Sequence, residues 1–421
     1  MFLKTAKLCI KKSTGCMIYM LNDYDYIVIT DHGYINGGLA KVVVSQILEL
    51  SIGRNKKILL VTGSKKLAPE LSNNNVDHLV IGKGDYLTRS NSVDGALNGI
   101  FDLSVALKLR KILKACITDD TKVLVHGWSK SLSPSIFLSL RSYTDRTFYW
   151  NHDYFMHCPN GGFFDYKIKK SCKESAVSFR CLVRNCDSRS YLIKVWRILR
   201  FFAFRLARGK CSEIAVTNAS LNVINEFSYF ESISVINNPI DLIKKDRIHS
   251  EKNDYVVVVG RPSPEKGVAE LLELLSKIDF RRKIVVIGAE ESDFGNKKLQ
   301  NLNLECCGWL GRHDVEKIMA KARYLFFPSL WYETQGLVVT EAIAMGVPVI
   351  CANVNCGMEA LGKYKAGMLY DPYELDSLSE TIKLFESNDN VKSCSERGYR
   401  LYWSMPENIN RHVDQVVKIC Q

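Results

Sequence analysis

The 421-residue chain carries 57 Lys+Arg against 45 Asp+Glu, a formal net charge of +12, with 47% hydrophobic and 24% charged residues. That composition is the one globular domains have, and it excludes a disordered tail protein, a collagen-like repeat and a small disulfide scaffold. At roughly 100–200 residues per domain the length predicts two domains. Their charges differ: residues 1–240 hold 33 Lys+Arg and 19 Asp+Glu, net +14, while residues 241–421 hold 24 and 26, net −2.

In chain order, the first segment has early lysines (Lys4, Lys7, Lys11, Lys12) followed by a short apolar run, Cys16–Leu21. That run is too short for a signal-peptide core and no small-residue cleavage site follows it. No stretch reaches the ~18 apolar residues of a membrane span; Val195–Phe204 is broken by Arg197 and Arg200. The expectation is a cytoplasmic protein whose fourteen cysteines are mostly free thiols, with metal ligation as the alternative.

Short β-rich runs then alternate with helical patterns. Strands are predicted at Tyr26–Thr30, Lys57–Val61, Val76–Ile81, Lys122–His126, Thr147–Trp150, Glu213–Thr217 and Ser232–Ile236. Helices are predicted at Gly38–Ser51, Phe101–Ala115 and Ser133–Ser142. The rhythm repeats with strands at Tyr255–Val259, Lys283–Ile287, Leu304–Cys307, Tyr324–Phe327 and Pro348–Cys351. Continuous apolar strands alternating with helices define parallel sheets covered on both faces. The fold expected is α/β with two doubly wound domains, residues 1–238 and 239–400, divided near Asn237-Asn238-Pro239. Residues 401–421 are expected to form a helix that packs back on the first domain.

Residues 151–210 exceed a minimal doubly wound domain, and residues 160–210 alone hold 13 Lys+Arg and 3 Asp+Glu, net +10. In this insertion Cys158, Cys172, Cys181 and Cys186 have the spacing C-x13-C-x8-C-x4-C beside His157. Two readings stand: a structural zinc site, which usually contains a tighter C-x2–4-C pair, or packed thiols. The run Tyr191–Arg205 interleaves aromatic, aliphatic and basic residues. It reads either as a basic helix lying on an anionic membrane or as a domain-packing helix whose arginines sit in water.

Three segments of the second half carry chemistry. Gly260-Arg261-Pro262-Ser263-Pro264-Glu265-Lys266-Gly267 follows a strand and opens a helix. Its glycines, helix start and two cations suit a diphosphate; the plain alternative is a βα turn with surface charges. In the run from Phe327 to Ala342, Glu333 and Glu341 stand eight positions apart around Gly336. Carboxylates there can accept hydrogen bonds from sugar hydroxyls, or one caps a helix and the other is solvated. Ala344 to Ile350 reads as helix end, glycine turn and buried strand.

Taken together, these residues resemble the retaining nucleotide-sugar glycosyltransferases of the GT-B fold, specifically glycosyltransferase family 4. The family's Glu, seven residues, Glu signature is matched by Glu333 and Glu341, and its upstream Arg and Lys by Arg261 and Lys266. Asn238-Pro239-Ile240-Asp241 is similar to the interdomain segment, Gly308-Trp309-Leu310 to the base-binding turn, and Gly37-Gly38 to the first domain's glycine loop. The resemblance implies two Rossmann-like domains facing across a cleft. Arg261 and Lys266, beside Gly260, would neutralise the donor diphosphate, Glu341 would bind the ribose, and Glu333 would hold the transferred sugar. Trp309 and Leu310 would meet the base, and amides near Gln335, Gly336 and Leu337 the sugar or phosphate. His152 matches a family His beside the sugar, Asp153 would position the acceptor, and His126 is the weaker candidate. No protein nucleophile, metal or cofactor is implied.

The expected activity is transfer of a sugar to a lipid-linked or polysaccharide acceptor in bacterial O-antigen, capsule or exopolysaccharide assembly, with peripheral membrane contact. The alternatives are a member acting on a small molecule or storage glucan, and a nucleic-acid-binding or scaffold protein; the four matched residues disfavour nucleic acid as a partner.

Overall fold

The computed structural model describes residues 23–72, 75–88, 92–210, 212–227, 233–295, 299 and 301–421. The N-terminal lysines and the Cys16–Leu21 run lie outside the described residues. The strands are β1 (Tyr26–Thr30), β2 (Ile58–Thr62), β3 (Val76–Val80), β4 (Lys122–Val125), β5 (Thr147–Asn151), β6 (Phe164–Asp165), β7 (Lys170–Ser171), β8 (Ser212–Ala215) and β9 (Ile233–Val235). The second series is β10 (Tyr255–Val259), β11 (Ile284–Ile287), β12 (Leu304–Cys306), β13 (Ala322–Phe327), β14 (Val349–Ala352) and β15 (Gly367–Tyr370).

Two parallel sheets result, ordered β3-β2-β1-β4-β5-β8-β9 and β12-β11-β10-β13-β14-β15. The central strands β1, β2, β11, β13 and β14 are buried along their whole length, because helices cover both faces of each sheet. β15 escapes the sequence reading: Gly-Met-Leu-Tyr at a sheet edge lacks the β-branched run that marks the central strands. So does the antiparallel β6–β7 hairpin of the insertion, whose two-residue strands are too short to show alternation.

In both sheets the strand order reverses beside the first strand of the series, between β1 and β4 and between β10 and β13. Loops at the carboxyl ends of such strands diverge and leave a crevice, the place where open α/β sheets bind ligands. Every residue singled out above in the β10 and β13 loops stands at that point of the second sheet. Asp31, His126, His152 and Asp153 follow β1, β4 and β5 of the first sheet.

The chain passes between the two sheets twice, once around Asn238 and again around Glu407, and the Ile240 amide donates to the Glu407 carbonyl at 2.7 Å. After the second passage the helix Ile409–Cys420 lies on the first sheet. Val413, Val416 and Cys420 share a core with Val28, Val43, Leu60 and Leu124. Its Asn408 cap accepts from the Arg411 amide at 3.0 Å, which fixes where the helix begins. Val413 is fully buried in that core. Val413→Asp would place an unpaired carboxylate there, and we expect a loss of about 3 kcal/mol or more in a denaturant melt.

Candidate donor-binding cleft

The β10 loop (Gly260 to Gly267) and the β13 loop (Pro328 to Gly336) touch through backbone. Gly267 adopts φ +65°, and a Cβ there would lie 2.2 Å from the Pro328 carbonyl oxygen. Only glycine fits. The Leu330 amide donates to the Glu265 carbonyl at 2.9 Å, and Ser329 Oγ lies 3.3 Å from the same oxygen. This seam brings Lys266 onto Glu333: Lys266 Nζ donates to Glu333 Oε1, which also accepts from Ser329 Oγ at 3.1 Å. The ammonium lies 5.6 Å from the centre of the Trp331 ring. Glu333 is buried, so its charge needs that cation.

Arg261 reaches outward, with its side chain 59% exposed and Nη2 at 3.6 Å from Glu265 Oε1. Glu265 is buried and accepts from Ser263 Oγ at 2.7 Å. A Cβ on Gly260 would sit 3.2 Å from Val268, which keeps the first residue of this loop tight on the helix that follows. Trp309 is 78% exposed on the turn after β12, with Leu310 half-buried behind it.

Across the cleft, Gly37 has no atom within 4 Å of a notional Cβ, and that of Gly38 would lie 3.5 Å from Leu337 Cδ1. The glycine loop thus faces the start of the helix Leu337–Met345, whose N-cap is Gly336 at φ +68°. From the first-domain helix Gly38–Leu48, Lys41 Nζ comes to 3.5 Å from Glu341 Oε1. Burial raises the Glu341 pKa and Lys41 opposes the rise.

The Gln335 side chain is buried and does not face the cleft: Oε1 accepts from the Asn238 amide at 2.8 Å. Its Nε2 donates to the Asn238 carbonyl at 3.1 Å and to Glu407 Oε2 at 3.5 Å. The Gln335 amide group therefore ties the sugar loop to both chain passages. Thr334 ties the loop to the first domain, donating to the His152 carbonyl at 3.1 Å and accepting from Thr217 Oγ1 at 2.7 Å.

On the first-domain side, His126 Nδ1 and His152 Nε2 lie 3.0 Å apart. Burial keeps both rings neutral, lowering His152 to about 3 and His126 well below its ordinary value. Asp153 accepts from the Phe155 amide at 3.1 Å. Burial chiefly, and then the Asp31 charge, raises its pKa from 3.8 to about 6, against the pull of Lys130 and Arg200.

The insertion forms one wall of the cleft. Ser171 Oγ donates to the Leu330 carbonyl at 2.9 Å, Lys169 Nζ meets Glu270 at 2.6 Å, and a Cβ on Gly162 would lie 3.3 Å from the Trp331 ring. Its thiols surround a fully buried ammonium: Lys194 Nζ donates to Cys186 Sγ at 3.0 Å and to Cys181 Sγ at 3.6 Å. Cys158 Sγ donates to Asn160 Oδ1 at 3.0 Å, and burial raises Cys158 to about 12 and Cys172 above its ordinary value. Among the described residues no three His, Cys, Asp or Glu side chains are placed to share a metal ion. These contacts favour packed thiols over zinc, since a cation already occupies the space between two of the four sulfurs. His157 turns away from them onto Glu213 at 2.9 Å. All described cysteines are free thiols.

The helix Tyr191–Ala207 packs on the first domain through Ile198, Phe201, Phe204 and Ala207, as the domain-packing reading expects, but Arg197 and Arg200 do not sit in water. Arg197 pairs with buried Asp187 at 3.2 Å. Arg200 is buried 5.3 Å from the ring centres of Trp128 and Trp196, and burial lowers its pKa to about 10. The outer face is instead Leu192, Val195, Leu199, Phe202 and Leu206.

Lys41, Ser329, Trp331 and Thr334 complete the cleft without having been singled out. Lys41 alone carried a signal, standing one helical turn after Gly38.

Solved structures share this architecture. The Anabaena protein HepE, in complex with UDP and glucose, superposes with a TM-score of 0.60 at 17% identity, covering 94% of this chain and 98% of that one. WaaG, a glycosyltransferase involved in lipopolysaccharide biosynthesis, gives 0.64 at 16% identity, with 94% and 99% covered. The class is therefore the GT-B fold. Residues 239–401 match the family model of the glycosyl transferases group 1. The O-antigen chain mannosyltransferase B of Escherichia coli is 29% identical over 138 residues, 30% of this chain and 35% of that protein. The putative teichuronic acid biosynthesis glycosyltransferase TuaC of Bacillus subtilis is 28% identical over 199 residues, 44% and 50% respectively. The chain thus spans about a third to a half of the length of these curated relatives.

The Asp153 carboxyl binds its proton more tightly in the folded chain than in the unfolded one. Its contribution to stability is present below about pH 4 and is lost as pH rises through about 6. Asp153→Asn, which keeps the acceptor for the Phe155 amide, is expected to raise stability at pH 7 by roughly 1–2 kcal/mol. The gain should vanish in melts below about pH 4.

Proposed function

We propose that the chain is a retaining glycosyltransferase of family 4 type. It would move a sugar from a nucleotide-diphosphate sugar to a lipid-linked or polysaccharide acceptor in bacterial surface-glycan assembly, on the cytoplasmic side of the membrane. The observation that carries this reading is the Lys266–Glu333 pair at the switch point, with Arg261 and Glu341 around it and the Gly37-Gly38 loop opposite.

Lys266 and Glu333 satisfy each other. A bound donor separates their tasks: the diphosphate takes Lys266 and Arg261, and sugar hydroxyls donate to Glu333. Negative charge grows on the diphosphate as the glycosidic bond breaks, so two cations and the N-terminus of the Leu337–Met345 helix stabilise the transition state more than the ground state. Charge neutralisation falls to these side chains, so the step needs no metal. Retention follows if the acceptor hydroxyl attacks on the leaving-group face and hands its proton to the departing phosphate. Glu341, kept partly in place by Lys41, suits the ribose hydroxyls, and exposed Trp309 suits the base. The first-domain cleft, walled by the basic insertion, suits an anionic acceptor. Relatives named for O-antigen and teichuronic acid synthesis support the glycan class.

A thermal-shift screen with UDP-, GDP- and ADP-sugars identifies the donor, since a ligand of the native state alone raises the melting temperature. With that donor, Lys266→Ala and Glu333→Ala should each lower turnover by on the order of a hundredfold or more. Near-normal activity in both variants would refute the assignment.

Membrane contact is the second part of the proposal. No helix among the described residues is long and apolar enough to cross a membrane. The outer stripe of the Tyr191–Ala207 helix is nevertheless exposed, with Leu192 and Leu206 each at 80%. Phe179, Val183 and the largely exposed Arg180 lie on the short helix just before it. Apolar side chains framed by basic ones suit an anionic bilayer surface. Flotation with anionic vesicles should recover the protein, and Leu199→Asp with Phe202→Asp should leave it at the bottom of the gradient. Equal recovery of both proteins would remove the membrane reading.

A further inference from the structure

The pairing of His126 with His152 fixes more than a distance. The two ring planes are inclined by 27° with centroids 5.3 Å apart, and Nδ1 of His126 is 3.0 Å from Nε2 of His152. Ring nitrogens at that separation share one proton in a hydrogen bond. Each ring is neutral, as described above, so each carries a single N–H. Two arrangements follow. Either His126 donates from Nδ1 and His152 accepts at Nε2, or His152 donates from Nε2 and the His126 proton sits on its own Nε2.

The surroundings of His126 decide between them. The ring is 3% exposed and stacked on Trp150 at 4.4 Å. Its Nε2 is buried and has no hydrogen-bond partner among the described residues. The second arrangement would strand an N–H at that atom, and buried donors are left unpaired more rarely than buried acceptors. The first leaves only a bare ring nitrogen against the indole. It is favoured by on the order of tenfold.

We infer that His126 is a positioning residue that locks His152 in the Nδ1–H tautomer, so that His152 offers the cleft a hydrogen-bond donor and not an acceptor. With its Nε2 occupied, His152 has only Nδ1 left for a ligand, and Nδ1 has no partner among the described residues. The ligand group that fits is an oxygen with a free lone pair, such as a hydroxyl, ring or carboxylate oxygen of the transferred sugar; the ammonium of an amino sugar does not. The ligand side of this inference rests on the placement of His152 beside the sugar proposed above. The tautomer itself does not.

The test reads the tautomer directly. In the full-length protein labelled with 15N-histidine, long-range proton–nitrogen spectra distinguish protonated from bare ring nitrogens. His152 signals are assigned by their loss in His152→Gln. Expected for the wild type without ligand is a bare Nε2 and a protonated Nδ1, unchanged across about pH 6–8. His126→Phe keeps a flat ring but cannot donate, and should give a mixture of tautomers at His152. His126→Asn, whose side-chain amide can donate from the same place, should restore the single form. With the donor identified, His126→Phe should lower kcat/KM by about tenfold and His126→Asn should recover most of it. A protonated Nε2 on wild-type His152, or an unaltered His152 spectrum in His126→Phe, overturns the inference. Absence of transfer with every donor would instead count against the proposed function and leave the tautomer result standing.

Discussion

The cleft depends on one close approach of backbone to backbone. Gly267 lies against the Pro328 carbonyl with no space for a side chain. Because of that contact the loops after β10 and β13 act as one surface, and Lys266 and Glu333 meet although 67 residues separate them. The switch point of the sheet brings the loops near each other. The glycine converts nearness into contact. Ser329, Leu330 and Glu265 then fasten the seam through hydrogen bonds that depend on the same register.

From that seam the loop Glu333 to Gly336 assigns a different task to each successive residue. Glu333 faces the lysine, Thr334 holds the first domain, Gln335 holds both chain passages, and Gly336 starts a helix. The residue proposed to hold the sugar is thus two positions from one that holds the domains together. The loop and both passages between the sheets thus share the hydrogen bonds of one side chain, Gln335.

The alternation of apolar runs and helices was enough to read two doubly wound sheets, because their central strands are buried on both faces and need apolar residues throughout. β15 and the β6–β7 hairpin were not legible, since edge position and two-residue length leave no periodic trace. Arg261, Lys266, Glu333 and Glu341 were legible through their spacing around glycines. Lys41, Thr334 and Trp331 were not, because what recruits them is the packing of one domain on the other. The helix Tyr191–Ala207 shows how pattern can mislead. Its arginines read as solvent-facing, yet Asp187 and the rings of Trp128 and Trp196 give Arg197 and Arg200 an interior, while Leu192, Val195, Leu199 and Leu206 are turned outward. The role of the Gln335 side chain left no trace in the sequence, because its partners Asn238 and Glu407 are set by how the chain passes between the sheets.

The return of the helix Ile409–Cys420 to the first sheet has a consequence for biosynthesis. Val28, Val43 and Leu60 belong to the core that this helix closes. The ribosome delivers the helix only after the whole second sheet. Domains generally fold in order of emergence from the ribosome, but here the first sheet is completed only by a helix that follows the second. The second sheet can close while an apolar face of the first stays open to solvent or to a chaperone, and a chain released early would keep that face uncovered.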